Sequence, residues 1–443
     1  FEEEAIADIV NYSGDIGCLI LQLSEVLKAE VKKKDLDQVY YEMDDLLTPI
    51  LAAIEKEGIS ISTDYFSSFG KELESSLKKI EQKIAKYTDQ EVNLNSHKQV
   101  GVLLFETLGL PIVKKNKTGF STDSEVLEEL KQNYDSEVPG LLLEYREVGK
   151  IFSTYVHALP QLVNQTSKRI HTSFNQHIAA TGRLSSVNPN LQNIPIRSEL
   201  GRRVRKGFIA KAGHVFIGAD YSQVELRILA HLSKDEIMLS AFKNGLDIHS
   251  QTASEILGVK LEDVDSNDRS KAKAVNFGLM YGQSSFGLGK ALGITRAEAK
   301  EYITNYFERF KRVKAYLDSL KEEAEQNGFS ITMFGRKRFL PDIYSKNRTI
   351  KANAERISIN SPIQGTAADI IKLAMINIYN EINKQKLKTK MILQVHDELI
   401  FEVPKAEVDI VKSLVRDKME NVVQLDVPLT VDMGVADNWY ELN

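Results

Sequence analysis

From residue 63 the chain repeats apolar positions at spacings of three and four: Phe66, Phe69, Leu73, Leu77, Ile80 and Ile84. That period puts them on one face of a helix and predicts a long amphipathic helix starting after Thr63-Asp64. A stripe of this kind packs against a core or a second helix. "NLNSHKQVGVLLFETLGLP" (93–111) predicts a helix capped by Asn95 or Ser96. "KKNKTGFSTDSEVLEEL" (114–130) predicts a basic loop and another capped helix. The loop reads equally well as a solvated turn and as a phosphate contact.

From about 170 the pattern changes. "RIHTSFNQHIAATGRLSS" and "GHVFIGADYSQVELRIL" read as strands with polar interruptions. Helices return from about 235 to 328. One of them starts at Thr295, where Thr295 and Glu298 form a capping box, and runs to a stop at Gly328. "FSITMFGRKRFLP" reads as a hairpin turning at Gly335, followed by a long helix interrupted near Pro362 and Gly365. "KMILQVHDELIFEV" is a second hairpin, and "DVPLTVDMGV" a last strand. Strands in two blocks with helices inserted between them imply a discontinuous α+β domain.

Composition narrows the class. At 443 residues the chain can bury more than one core. No apolar run approaches the ~18 residues of a membrane span, and no secretory signal is visible. A single cysteine, Cys18, excludes an internal disulfide and a cysteine-cluster zinc site, and fits a reducing compartment. The chain starts at Phe1 rather than Met and reads as a piece of a longer protein. The net charge of −5 taken alone disfavours a polyanionic partner, but segregated charge overrides a net value. Two glycine patterns fail as phosphate loops. Gly282 and Gly287 are followed by Leu288 in place of the required Lys, and Gly287-x-Gly289 lacks its third glycine. These glycines read as turn and helix-end residues.

The acids of the strands carry the chemistry. Asp397 and Glu398 interrupt an apolar hairpin at its turn, and Asp220 ends another apolar strand. Two strands of one sheet can bring Asp220 to Asp397. At 4 Å two carboxylates repel by about 4 kcal/mol at an effective dielectric near 20, so the pair needs a cation. Oxygen ligands favour magnesium or manganese, and magnesium held by few carboxylates completes its shell with substrate phosphates and water. In "RSKAKAVNFGLMYG" (269–282), Arg269, Lys273, Phe277 and Tyr281 recur every four residues and form one slowly winding helical stripe. Two cations followed by two aromatics suit a ligand with a polyphosphate at one end and a flat ring at the other. Gly278 and Gly282 each cost about 1 kcal/mol inside a helix, which the approach of a base or a helix end at Gly282 would explain.

"DYSQVELR", "RSKAKAVNFGLMYG" and "QVHDELIF", in this order, resemble the three polymerase motifs of family A DNA polymerases. "TGRLSSVNPNLQNIP", "NLNSHKQ", "TGFSTDSEVLEEL" and "NSPIQGTAADIIK" extend the resemblance over roughly residues 40–443. It implies a right-hand α+β architecture with an antiparallel palm sheet and helical thumb and fingers. The thumb is then 46–165, the palm 166–230 with 351–443, and the fingers 231–350. Asp220 and Asp397, with the Tyr221 carbonyl, would hold two magnesium ions, for which manganese can substitute, and Glu398 would support them. Arg269 and Lys273, joined by His249 and Gln223, would bind the nucleotide triphosphate, with Phe277 and Tyr281 beside its base and sugar. Glu225 would accept a hydrogen bond from Tyr281 and fill the space beside C2′. Arg183, Arg356, Asn360, Gln364 and His396 would contact primer–template DNA. In this family a proofreading domain often precedes the polymerase, ending in a Tyr-x-x-x-Asp motif. Here "YSGDI" puts Ile16 four places after Tyr12 and Asp15 one place early, so residues 1–45 read as a degenerate stub of a 3′–5′ exonuclease-like domain.

The expected activity is primer extension with deoxynucleoside triphosphates, by a monomer, without proofreading, in the cytoplasm and near the nucleoid. Rival classes are an RNA polymerase, another two-metal phosphoryl-transfer enzyme such as a nuclease, and an inactive DNA-binding protein on the same fold. Glu225 argues against ribonucleotides, the cation–aromatic stripe against a nuclease, and the intact Asp220, Asp397, Arg269 and Lys273 against an inactive protein.

Overall fold

The computed structural model describes residues 3–116, 119–196 and 198–442. Lys117, in the basic loop, lies outside them. The helix predicted from residue 63 spans Thr63–Ile84, with the Ser62 hydroxyl accepting from Tyr65 N at 3.2 Å. Phe66, Phe69, Leu73, Ile80 and Ile84 are buried against Val138–Ile151 and its neighbours. Each such side chain contributes roughly 1.5–3 kcal/mol by leaving water. Ser96 caps His97–Val102 and Asp123 caps Ser124–Asn133.

A four-stranded antiparallel sheet follows, in the order Val431–Ala436, His214–Tyr221, Glu398–Pro404, Lys390–Val395. The strand His214–Tyr221 is paired on both sides and almost wholly buried, which is why it reads as a nearly continuous apolar run. The helix Val408–Glu420 backs the sheet and packs in turn against Arg348–Lys384. A buried ion pair ties the sheet to the first helices. Arg169 Nη1 lies 3.1 Å from Glu402, and its Nη2 donates to the Gly58 carbonyl at 2.9 Å.

Several elements differ from the sequence reading. Only Ser173–Asn175 and Ser185–Val187 form strands in the 170–187 region, and Val224–Ser233 is a helix. Its residues are buried almost all round, so apolar spacing could not separate helix from strand. The switch occurs at Gln223, which adopts a left-handed φ of 53°. The stretch after Thr295 is two helices, Arg296–Arg309 and Lys311–Asn327, broken at Phe310. The capping box at Thr295 is present, and Gly328 ends the second helix. Gly287 and Gly289 lie inside the helix Ser285–Leu292 rather than at its ends.

The helix Arg348–Lys384 runs unbroken through Pro362. Proline removes the N–H that would bond the carbonyl four residues back, at Ser358. The Ser330 hydroxyl from the hairpin donates to that carbonyl at 3.2 Å and fills the gap.

Residues Glu3–Lys33 form one helix, with Leu19, Ile20, Leu21 and Leu23 exposed. The Tyr12 side chain lies outside the described residues, and Asp15 is exposed. Among the described residues no helix is long and apolar enough to cross a membrane.

Candidate active site

The sheet gathers the acids at one end. Asp220, next to last in its strand, pairs in register with Glu398 on one side and Asp432 on the other. His396 turns the hairpin with a left-handed φ of 56° and is exposed. Gln192 fixes Gln394 below it at 3.0 Å, and Gln394 in turn donates to the His396 carbonyl. Tyr221 N donates to the Asp397 carbonyl at 3.3 Å, which pins Asp397 beside Asp220. The Tyr221 hydroxyl reaches the Met419 carbonyl at 2.8 Å and anchors the strand end to the backing helix.

Burial is the main cause holding the Asp220 carboxyl well above the usual carboxylate range, and Asp397, Glu398 and Asp432 add to it. Burial likewise raises Asp397 and lifts Glu398 to about 7. Arg183 opposes the rise at Asp397, and Arg205 that at Glu398. Arg205 lies 4.0 Å from Glu398, with its guanidinium 4.3 Å from the Trp439 ring centre. Asp220 Oδ1 is buried without a hydrogen-bond partner among the described residues.

An orphaned carboxylate oxygen in a repelling acid pair fits a divalent cation. Among the described residues no three or more His, Cys, Asp or Glu side chains form a cluster suited to a metal. The acids line a cleft of about 390 Å³ with Arg202, Arg205, His396 and Tyr440.

The cation–aromatic stripe lies on the helix Ser266–Met280, capped by Asp265, with Tyr281 immediately after it. Arg269 pairs with Asp247 at 2.5 Å. Lys273 is exposed and has no ion-pair partner among the described residues. Phe277 is half-buried, with its ring centre 6.2 Å from that of Tyr281 and 5.9 Å from that of His249. Gly282 takes a φ of +66° and ends the helix, so the helix end accounts for it. Gly278 is filled against by Gln283, whose Oε1 would lie 2.4 Å from an added Cβ.

His249 is buried beside Phe277. It is 2 % exposed, its Nδ1 pairs with Asn276 at 3.2 Å, and burial drives its imidazole down to about 4. It stands as a neutral imidazole beside Phe277.

Glu225 joins the two sides. The Tyr281 hydroxyl donates to one of its oxygens, and Arg183 Nη2 donates to the other at 2.5 Å. Gln364 lies beside the same tyrosine hydroxyl and opposes the rise in its pKa. Arg356, Asn360 and Gln364 fall a turn apart on the long helix, with Arg356 packed over Gly282 and Asn360 Oδ1 buried without a partner among the described residues. His396 and Arg183 line one small cavity with Gln394 and Lys372. Gln223 stands half-buried at the strand-to-helix junction, which Arg227 clamps through the carbonyls of Ser222 and Pro428.

Sequence reasoning missed Arg205, Trp439, Asp247 and Asn276, and the bond from Arg183 to Glu225. A cation just ahead of the acid strand was the one available signal for Arg205.

The sequence model described as DNA polymerase family A matches residues 63–441. The chain belongs to this family. It is 51 % identical over 403 residues to DNA polymerase I of Caldicellulosiruptor bescii, covering 91 % of this chain and 47 % of the relative. To DNA polymerase I of Bacillus subtilis it is 46 % identical over 423 residues, covering 95 % of this chain and 48 % of the relative. The chain thus spans about half the length of these relatives. Among solved structures, the polymerase domain of Pol1 from M. smegmatis, in complex with DNA primer-template and dNTP, superposes with a TM-score of 0.92 at 40 % identity. That match covers 96 % of this chain and 75 % of the other.

Proposed function

We propose that the chain performs template-directed DNA synthesis, extending a primer 3′-hydroxyl with deoxynucleoside triphosphates and releasing pyrophosphate. The observation that carries this reading is the buried Asp220–Asp397 acid pair together with the Glu225–Tyr281 bond, which joins the helix after the acid strand to the end of the helix bearing Arg269, Lys273 and Phe277. In right-hand terms the thumb is 46–165, the palm 166–230 with 351–443, and the fingers 231–350.

The reaction joins the primer 3′-oxygen to the α-phosphorus and breaks the bond to the bridging oxygen, whose electron pair leaves with pyrophosphate. Asp220 and Asp397, with the Tyr221 carbonyl, would hold two magnesium ions, or manganese in their place, supplying activation of the 3′-hydroxyl and neutralisation of the phosphates. Lys273 meets the negative charge of the triphosphate and of the departing pyrophosphate. Arg269, drawn from Asp247, binds the same phosphates. Phe277 and Tyr281 provide a flat surface beside the incoming base and sugar. Glu225 occupies the space at C2′ and excludes a ribose hydroxyl. Arg183, Asn360 and Gln364 contact the terminal pair in the minor groove, where A·T and T·A offer the same acceptors, so pair shape is checked without reading sequence. Arg356 and His396 lie nearby, against the template and primer strands. Glu398 stays buried and shapes the field at Asp220. No proofreading step is assigned to residues 1–45, and the chain is read as acting as a monomer.

The test is extension of a labelled primer on a DNA template with magnesium and the four deoxynucleotides. Stepwise extension is expected. Degradation alone, or binding without extension, would replace this reading with a nuclease or an inactive DNA-binding protein.

A further inference from the structure

A buried charge network lies outside every step described above. Arg336, at the end of the hairpin turn, donates through Nη1 and Nη2 to both oxygens of Asp44 at 2.8 and 2.9 Å. Its Nε donates to Asp369 Oδ1 at 2.7 Å. Lys372 donates to Asp44 at 2.8 Å, and the Thr332 hydroxyl to the other Asp369 oxygen at 2.8 Å. The side chains of Asp369 and Lys372 are 0 % and 1 % exposed. Two acids and two cations balance. Buried charges cost several kcal/mol each unless paired, so the members hold one another in place. A guanidinium meeting a carboxylate through two bonds also fixes direction.

The network grips one stretch of backbone, Thr181–Arg183. An added Cβ at Gly182 would lie 2.6 Å from Arg336 Cδ and Nε, and Gly182 has a φ of +82°. An added Cβ at Gly365 would lie 2.5 Å from Thr332 Cγ2 and 3.2 Å from the Thr181 carbonyl. The turn is therefore pressed between the Arg336 and Thr332 side chains and the long helix, next to Gln364. Upstream, Gln176 Nε2 donates to the Asp44 carbonyl at 3.0 Å, so both ends of 176–183 attach to the same network. Directly downstream is Arg183, bonded to Glu225.

We propose that Arg336 is a positioning residue: held by Asp369 and Asp44, it fixes the Thr181–Arg183 turn against the helix bearing Gln364 and so enforces preference for a correctly paired primer end. This rests on the polymerase reading. A fixed Arg183 reaches a groove acceptor only where a matched pair puts one. A loosened turn loses that bond on matched ends and has little to lose on mismatched ones.

The experiment is single-turnover extension of matched and mismatched primer ends by the unaltered chain, Arg336→Ala, Arg183→Ala and the double variant. Arg336→Ala should slow matched extension about tenfold, a coupling of ordinary size for residues acting through one network, and slow mismatched extension far less. In the Arg183→Ala background the same change should leave the matched-to-mismatched ratio where it is. Arg336→Lys, which keeps the charge and loses the fork, should move the ratio the same way by less, and it decides the matter if Arg336→Ala does not fold. An unchanged ratio in a folded variant, or an Arg336→Ala effect that adds in full to Arg183→Ala, overturns the role of Arg336. The unaltered chain tests the polymerase reading separately, since no extension there rejects that reading before any variant is compared.

Discussion

The hydroxyl of Tyr281 donates to the carboxylate of Glu225, joining the end of the stripe-bearing helix to the helix that follows the acid strand. Glu225 is 7 % exposed, and Arg183 holds its other oxygen. Burial raises the Glu225 pKa, while Tyr281 and Arg183 oppose the rise and favour the charged form. A charge-assisted bond is worth about 1.5–3 kcal/mol, or one to two powers of ten in selectivity. Glu225→Ala should therefore accept ribonucleotides one to two powers of ten more readily, with a moderate loss for deoxynucleotides. Single-nucleotide kinetics on matched ribo- and deoxyribonucleotides measure this, and an unchanged ratio would leave Glu225 a helix-start acid favoured only by the dipole.

Asp220→Asn and Asp397→Asn should abolish extension at saturating magnesium and leave DNA affinity largely intact, because affinity rests on phosphate contacts. The substitutions should also stabilise the metal-free protein. A buried acid whose folded pKa is raised opposes folding above its unfolded value, and replacing Asp220 removes that cost. Thermal melts at neutral pH with a chelator should show a higher Tm for Asp220→Asn than for the parent. Near-normal extension by either variant would remove the acids from the chemistry.

Lys273 is exposed and free of ion pairs among the described residues, so its charge is available to a ligand. Lys273→Ala should lower the rate of nucleotide addition more than it lowers DNA affinity. DNA affinity itself should fall linearly with salt on logarithmic axes, by roughly 0.9 per phosphate neutralised, despite the net charge of −5. A flat salt response would contradict a cationic face segregated from the acids.

Burial, above all, drives the His249 imidazole down from its ordinary 6.5 to about 4. Between these values the unfolded chain binds the proton and the folded chain does not, so stability is lost as pH falls from 6.5 toward 4. The loss assigned to this residue is about 2 kcal/mol by pH 5. Chemical denaturation of the parent and of His249→Gln at pH 7 and pH 5 isolates it. The difference between them should shrink at pH 5, and an equal difference at both values would show His249 to be solvated.

Local rules made much of the molecule legible. Spacing alone placed the helix Thr63–Ile84 and the stripe from Arg269 to Tyr281, because a helix brings residues three and four apart onto one face. The capping box at Thr295 was readable for the same reason. Asp220 and Asp397 stood out as charges at the ends of apolar strands. Where burial is complete, spacing carries no information, and 224–229 reads as strand although it begins the helix Val224–Ser233. Pro362 was read as a break because the group that replaces its missing bond, the Ser330 hydroxyl, comes from another element. The clamp of Arg205 between Glu398 and Trp439, and the network of Arg336 with Asp44 and Asp369, join segments that only packing brings together. The sequence by itself determined the acids at the ends of apolar strands and the cation–aromatic stripe along one helix. The tertiary structure decided that Arg183 meets Glu225, because that contact depends on a turn at Gly182 whose path is set by a hairpin far along the chain.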